Sequence, residues 1–287
     1  LVIRPIGASR CDAVSPYGYP GPLLAGTDDE SFVGAALEAA MPSLRAEGVV
    51  SLFVRSHPLL NPSLPAGVGT VVHHGDTVAI DLTLPAGDRW LQLRRNHRTD
   101  IVRALQSGHR AWFDDEWVNF ETFKRLYHAT MRRRSAAEDY FFDDAYFDGL
   151  REALGDGIRL CVVEIEAEII AATLFTETCG IVEYHLMGVD EAHLRFAPAK
   201  LMFHAAWAWA ADRHDTLLHL GGGVGGANDS LMHFKAGFSP LRFPFFTLRV
   251  VLDDREYARL ARECDPAWEA DASDNAHFPA YRRPRLG

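Results

Sequence analysis

Residues 158–190, IRLCVVEIEAEIIAATLFTETCGIVEYHLMGVD, read as three strands in succession, with tight joints near Glu166-Ala167 and Glu177–Gly180. Joints that short connect only antiparallel neighbours. The elements downstream narrow the choice further. A long apolar helix spans 197–214 (APAKLMFHAAWAWAADRH), then come the strand TLLHLGG and a glycine run. The short helix NDSLMHFKAGF is next, with Asn228 or Asp229 at its N-cap. A last strand covers 243–253 (FPFFTLRVVLD), and DREYARLARECD is helical. Strands first grouped and then interleaved with helices make the chain α+β.

Upstream, the apolar start LVIRPIGAS reads as a strand that belongs with residues preceding this numbering. Residues 11–27, dense in Pro and Gly, read as an ordered loop. A helix is expected over 28–47 and a strand over 49–56, with a hairpin or paired strands over 69–84. A basic amphipathic helix spans 89–107, with Trp90, Leu93, Ile101, Val102 and Leu105 as its apolar contacts. Further helices cover 118–136 and 143–155.

Of the 287 residues, 48% are hydrophobic, enough for a buried core. No apolar run approaches the roughly 18 residues of a membrane span, and no signal-peptide pattern is visible. The four cysteines lie far apart without a CxxC pair. Cys161 and Cys179 sit in apolar, strand-like runs as small buried thiols; the usage suits a reducing cytosol, and a cytoplasmic location is expected. The thirteen histidines show no metal-ligand spacing. The adjacent pair at 73–74 faces opposite ways in a strand, so no metal is expected. A net charge of −10 argues against DNA and against indiscriminate nucleic-acid binding. It leaves room for local basic patches at 89–110 and 132–134.

The element order from residue 158 onward is that of the GNAT acyltransferase fold. Three motifs sharpen the likeness: YGYPGPLL (17–24), LRRNHRTDIVRALQSGH (93–109) and DSLMHFKAGFSP (229–240). In that order, around the three-strand block, the chain resembles the Fem-type aminoacyltransferases over roughly residues 15–255. That resemblance implies two GNAT-like domains, here a partial or truncated one over 1–88 and a second over 89–287. It also implies an aminoacyl ester on a charged tRNA as co-substrate, a small amine or peptide as acceptor, and no cofactor. Nothing marks a cell-wall acceptor, and the resemblance, which extends to relatives in small-peptide and natural-product pathways, implies a small peptide or natural-product precursor instead.

An ordinary GNAT holds the coenzyme A pyrophosphate on backbone N–H groups of a Q/R-x-x-G-x-G/A loop at a helix N-terminus. The equivalent residues are RFAPAK, 195–200, where Pro198 stands for the central glycine. Proline has no N–H and suits the first helical turn instead. The weight therefore moves from an acyl-CoA donor toward aminoacyl-tRNA.

The run GGGVGG at 221–226 is neither a P-loop nor a dinucleotide fingerprint. It is either a loop that lets two strands splay, or a place where substrate approaches the backbone at Gly222, Gly223 and the Asn228 cap. Lys235 in HFKAGF is either a solvated lysine or, as the resemblance implies, the cation that meets the carrier or the oxyanion. His185 is the candidate general base and Tyr184 a substrate contact, with a buried structural histidine as the alternative. Asp76 can hold a protonated amine or cap a turn, and Tyr17 and Tyr19 can wall a pocket or anchor a loop. Arg94, Arg95, Arg98 and Arg103 cannot share one helix face, so part of the set is expected to grip tRNA phosphates and the rest to pair with carboxylates.

The sequence therefore points to an amide-forming acyltransferase using aminoacyl-tRNA. Two alternatives stay open: an acyl-CoA-dependent GNAT N-acyltransferase, and a non-catalytic ligand-binding protein on a degenerate GNAT fold. The oligomeric state stays open as well.

Overall fold

The computed structural model describes residues 1–26, 29–60, 64, 67–269 and 277–283. Residues 27 and 28, where the expected loop ends and the expected helix starts, lie outside them. In chain order the strands are β1 (Val2–Ile6), β2 (Arg10–Val14), β3 (Val49–Arg55), β4 (Thr70–Asp81), β5 (Arg110–Phe113), β6 (Ile158–Ile165), β7 (Glu168–Thr178), β8 (Ile181–Val189), β9 (Leu217–Gly221) and β10 (Arg242–Val251). The α-helices are α1 (Glu30–Ala46), α2 (Ala86–Gln92), α3 (Arg95–Gln106), α4 (Phe120–Arg133), α5 (Asp144–Leu154), α6 (Pro198–Asp212), α7 (Ser230–Lys235) and α8 (Asp254–Cys264).

Two compact units result, both discontinuous in sequence. One is Leu1–Asp76 with Gly225–Ala227 and Phe243–Gly287; the other is Thr77–Val224 with Asn228–Arg242. A single cut at 88/89 does not separate them, because β10 returns to pair antiparallel with β3, Leu248 opposite Val54.

In the first unit the strand order is β1-β2-β3-β10-β4. The start of the chain forms a β1–β2 hairpin, Val2 opposite Val14, so residues 11–14 are strand and not loop. Ala13 is buried in a core with Met41, Leu52 and Leu248. Asp12, also buried, accepts from Arg4 at 2.5 Å and from Arg282 at 2.9 Å. A buried carboxylate that accepts from two guanidiniums ties the strand to both of them by charge-assisted hydrogen bonds. The expected hairpin at 69–84 is instead one long strand, β4, with Gly75 at φ 134°.

The second unit orders its strands β4-β9-β8-β7-β6-β5. Its joints have the positive φ values that two-residue hairpin turns need, Glu166 (51°) with Ala167 (65°) and Cys179 (49°) with Gly180 (79°). Cys179 is therefore exposed at a turn, whereas Cys161 is buried, where loss of solvent pushes its thiol pKa up. Alternate residues of β7 serve two cores, as the period of two requires: Ala171 packs with α3 and α6, Ala172 with α4 and α5. Where α4 crosses β8, a Cβ on Gly188 would run into the backbone of Leu126 and Tyr127. The basic helix expected over 89–107 is two helices, α2 and α3. Leu93 and Arg94 take extended ψ values of 141° and 147° between them, and Leu93 is driven into the core.

Candidate active site

The candidate site lies wholly in the second unit, at the divergence of β8 and β9. These two strands run parallel through Ile181↔Leu217, Val182↔Leu218 and Glu183↔His219, and the pairing ends there. Just beyond, β8 carries a bulge: Leu174 of β7 opposes Leu186 and Phe175 opposes Tyr184, leaving His185 as the extra residue. The strand is thus irregular at His185. Bulges re-aim side chains in this way. Tyr184 joins the core beneath α6, edge-on to Phe203 at 5.2 Å, while His185 turns toward α5, its Nε2 3.4 Å from the Tyr146 hydroxyl. Burial lowers the His185 pKa, opposed by the charge of Glu183.

Lys235 ends α7 and is only 5% exposed. Its Nζ donates to the carbonyl of Gly222 at 2.7 Å and lies 5.2 Å from the centre of the Tyr184 ring. Burial lowers its pKa to about 8, opposed by the carboxylates of Asp229 and Glu183. The same burial pushes Tyr184 up to about 12, so its phenol stays neutral. A solvated lysine on a helix face is excluded: this ammonium is desolvated and aimed at the end of β9.

The glycine run is a structural turn that also supplies a ligand. Gly221 (φ 72°) ends β9, and Gly222 gives Lys235 its carbonyl. Within the first unit, Gly226 (φ 86°) lies against His74, where a Cβ would clash. Asp229, and not Asn228, caps α7: its Oδ1 accepts from Met232 N–H at 2.8 Å and its Oδ2 from Val224 N–H at 3.0 Å. Asn228 itself is exposed and Gly223 half-buried.

The two later motifs pack as one body. Arg94 donates its backbone N–H to the Gly237 carbonyl at 2.9 Å and its guanidinium to the His233 carbonyl at 2.8 Å. His97 places Nε2 3.0 Å from the Phe234 carbonyl and stacks its ring edge-on to Phe238 at 4.6 Å. Lys200 of α6 reaches Asp100 of α3 at 2.6 Å. Arg98 turns back to the Leu91 carbonyl at 3.1 Å and Arg103 to Asp100 at 3.5 Å, whereas Arg95 is exposed. Arg94 and Arg98 thus hold α2, α3 and α7 together.

Tyr17, Tyr19 and Asp76 belong to the other unit. Tyr17 is exposed, Tyr19 packs edge-on to Phe245 at 5.1 Å, and Asp76 sits 3.9 Å from His73. The histidines at 73 and 74 do face apart, one to Phe246 and the other to Phe245.

Two further residues at the fork, Glu183 and His219, were not singled out in the sequence. His219 is fully buried, and its Nδ1 lies 3.4 Å from Glu183 Oε1 at the last pair before the strands part. The partners are 36 residues apart, and no spacing rule connects them; only a histidine within an apolar strand hinted at a role.

Between the strands and α6, Ala197 is left-handed (φ 51°, ψ 48°) and Pro198 opens the helix at N1. Ala197 N–H is spent on the Leu194 carbonyl and Lys200 N–H on the Ala197 carbonyl. Among the described residues no helix is long and apolar enough to cross a membrane.

The second unit thus carries a parallel strand pair that parts within a mixed sheet, with helices on both faces. The chain belongs to the family described as acetyltransferase (GNAT) domain, matched over residues 92–235. Among solved structures it is similar to FemX, with 13% identity over 90% of this chain and 85% of that one, at a TM-score of 0.66. It is also similar to the C-terminal domain (DUF2156) of a protein named as a putative lysylphosphatidylglycerol synthetase from Agrobacterium fabrum, with 15% identity, 88% and 81% coverage and a TM-score of 0.57. L-PGS from Bacillus licheniformis is similar at 16% identity, 86% and 79% coverage and a TM-score of 0.55. No protein of curated function matches the sequence. The fold is therefore GNAT-like and shared with Fem-type proteins.

Proposed function

We propose that this acyltransferase moves an aminoacyl group from a charged tRNA to the amine of a small peptide or natural-product precursor. The supporting observation is the pairing of a buried cation at the strand fork with a poor pyrophosphate cradle. Lys235 is desolvated beside Gly222 and Tyr184, where an ammonium stabilises a developing oxyanion far better than in water. At 195–200, where coenzyme A needs outward N–H groups, one residue has none and two spend theirs on the main chain.

In this reaction the amine nitrogen attacks the ester carbonyl, a C–N bond forms and the ester C–O bond breaks. The tRNA ribose hydroxyl leaves with a proton, and the amine gives up a proton. Positioning and charge stabilisation suffice, without a covalent intermediate. The name of the lysylphosphatidylglycerol synthetases, whose fold the chain shares, also speaks of an aminoacyl product. A second reading, acyl-CoA-dependent N-acylation, is favoured by the family description alone.

The test is parallel binding of a charged tRNA pool and of acetyl-CoA across a salt series. Binding of tRNA that weakens steeply with salt, with no acetyl-CoA signal, supports the proposal. Saturable acetyl-CoA binding without tRNA binding overturns it. If neither binds, the chain is a non-catalytic module on this fold.

A further inference from the structure

Three of the four arginines first expected to meet tRNA have partners inside the fold: Arg94 on His233, Arg98 on Leu91 and Arg103 on Asp100. A second set of arginines gathers in the first unit. There Ala13, Leu52, Val54, Leu248 and Val250 all point into the core with α1. Strand alternation puts their neighbours Asp12, Phe53, Arg55 and Arg249 on the opposite face of the sheet. Arg4 stands directly across from Asp12 and shares that face. Residues 277–283 cross it. The Phe278 ring lies 6.1 Å from that of Phe53, the Tyr281 hydroxyl meets Ser51 at 2.7 Å, and Arg282 reaches Asp12 at 2.9 Å.

Arg4, Arg55 and Arg249, from three strands, thus share one face with Arg282, and Arg283 follows in the same segment. In a chain of net charge −10 this is a marked local excess. Asp12 is the single acidic residue in β1, β2, β3 and β10, and it accepts from both Arg4 and Arg282. Arg55 lies over the Phe53 ring at 4.9 Å and donates to the Ser15 carbonyl at 3.1 Å, while Arg249 lies 5.8 Å from the centre of the Phe278 ring. None of the five is buried, and Arg283 is exposed. Burial lowers the pKa of His277 in the crossing segment, a backbone hydrogen bond with Arg282 raises it, and the charges of Arg283, Arg249 and Arg4 lower it again.

A guanidinium held by one bond or one ring keeps further N–H donors, which meet a phosphate two at a time. No single small anion spans this set. β1 and β10 are three strand spacings apart, roughly 14 Å at ~4.8 Å each. The face fits a polyanion whose charges recur along a chain, as phosphates do in a nucleic-acid backbone.

We infer that this arginine face of the first unit is a docking surface for the phosphate backbone of the donor tRNA. This rests on the aminoacyl-tRNA reading above. Contacts of this kind set affinity, register and salt dependence and carry no base sequence.

The test measures binding of a charged tRNA pool to the full chain across a salt series, for wild type, Arg283→Ala, Arg249→Gln, Arg249→Lys and Arg259→Ala. Among the described residues no hydrogen bond or ion pair occupies the Arg283 guanidinium, so its loss leaves the fold intact. Arg259 of α8, held by Glu256 and Glu263, is the control for loss of an arginine elsewhere on the same unit. Arg283→Ala and Arg249→Gln each reduce the slope of log affinity against log salt by roughly 0.7–0.9, the share of one phosphate contact. Arg249→Lys keeps the wild-type slope, and so does Arg259→Ala. Slopes that stay equal in Arg283→Ala and Arg249→Gln, or that fall as far in Arg259→Ala, overturn the arginine face and leave the donor reading standing. Binding to phosphatidylglycerol–phosphatidylcholine vesicles that fails in these two variants, with tRNA binding unchanged, gives the face to a lipid surface and also overturns the proposal. Absence of tRNA binding by wild type at low salt overturns both readings.

Discussion

Gly237 lies flat against the ring of His97, so close that a Cβ there would penetrate the imidazole at Cε1 and Nε2. The glycine of HFKAGF is therefore fixed by a histidine of the basic helix far earlier in the chain, and α7 docks on α3 only because that side chain is missing. Gly237→Ala forces His97, held by Phe234 and Phe238, out of its place. The expected cost is about 1–3 kcal/mol, the usual range for overpacking. Urea denaturation measures it, and a change under about 0.5 kcal/mol contradicts the packing described. Gly188→Ala is expected to cost more, because the atoms it meets are the α4 backbone.

Lys235 gives a prediction with a sign in both stability and activity. Its pKa falls from 10.5 to about 8 on folding, chiefly by burial. Between those values the unfolded chain binds a proton that the folded chain has released, so the lysine's contribution rises with pH from 8 to 10.5. Below pH 8 the buried ammonium is a net cost, on the order of 3 kcal/mol or slightly more if the whole shift is expressed. Lys235→Met is therefore expected to be at least as stable as wild type at pH 7, its advantage shrinking from pH 8 upward. Transfer activity is expected to drop by about 10²–10³. A variant that loses stability at pH 7 with activity intact makes Lys235 a structural residue.

Much of this was legible in the sequence, for physical reasons that can be named. The β6–β8 block declares itself because each strand is apolar and each joint is short. Pro198 announces the start of α6 because its missing N–H is tolerated only there. The break between α2 and α3 left no mark, since neither Leu93 nor Arg94 is a helix breaker; tertiary burial of Leu93 bends the chain. The bulge at His185 and the Glu183–His219 pair were equally silent, because register between strands distant in sequence is a property of the assembled sheet. The division of the chain was hidden for the same reason: β10 belongs with β3, and local pattern cannot say so.

His97 is expected to titrate near pH 4, lowered from 6.5 first by burial and then by the positive charges of Lys200 and Arg94, with Asp100 acting in the opposite sense. A histidine whose pKa is lowered on folding contributes stability that is complete above its unfolded value, here 6.5, and lost as pH falls from there toward 4. The α3–α7 contact is therefore acid-sensitive in that window. Imidazole NMR shifts followed from about pH 7 down through the folded pKa near 4 measure it directly, and His97→Gln is expected to flatten the acid limb of the stability curve. A midpoint at or above 6.5 contradicts a buried neutral ring.

The two neighbouring arginines at the α3 start separate structure from recognition. Arg94 is tied by its side chain to His233, and its loss leaves the His233 carbonyl short of a charged donor. Arg94→Ala is expected to cost about 1–3 kcal/mol, the range for a charge-assisted hydrogen bond. Arg95 is exposed on the same turn, and among the described residues no side-chain hydrogen bond ties it. Arg95→Ala is expected to leave stability within about 0.5 kcal/mol, as surface substitutions generally do. If this turn meets tRNA phosphates, Arg95→Ala also reduces the slope of log affinity against log salt by roughly 0.7–0.9, the share of one phosphate contact. Equal slopes for wild type and Arg95→Ala, measured on the same charged tRNA, remove Arg95 from the tRNA contact and shift the search to other exposed basic residues.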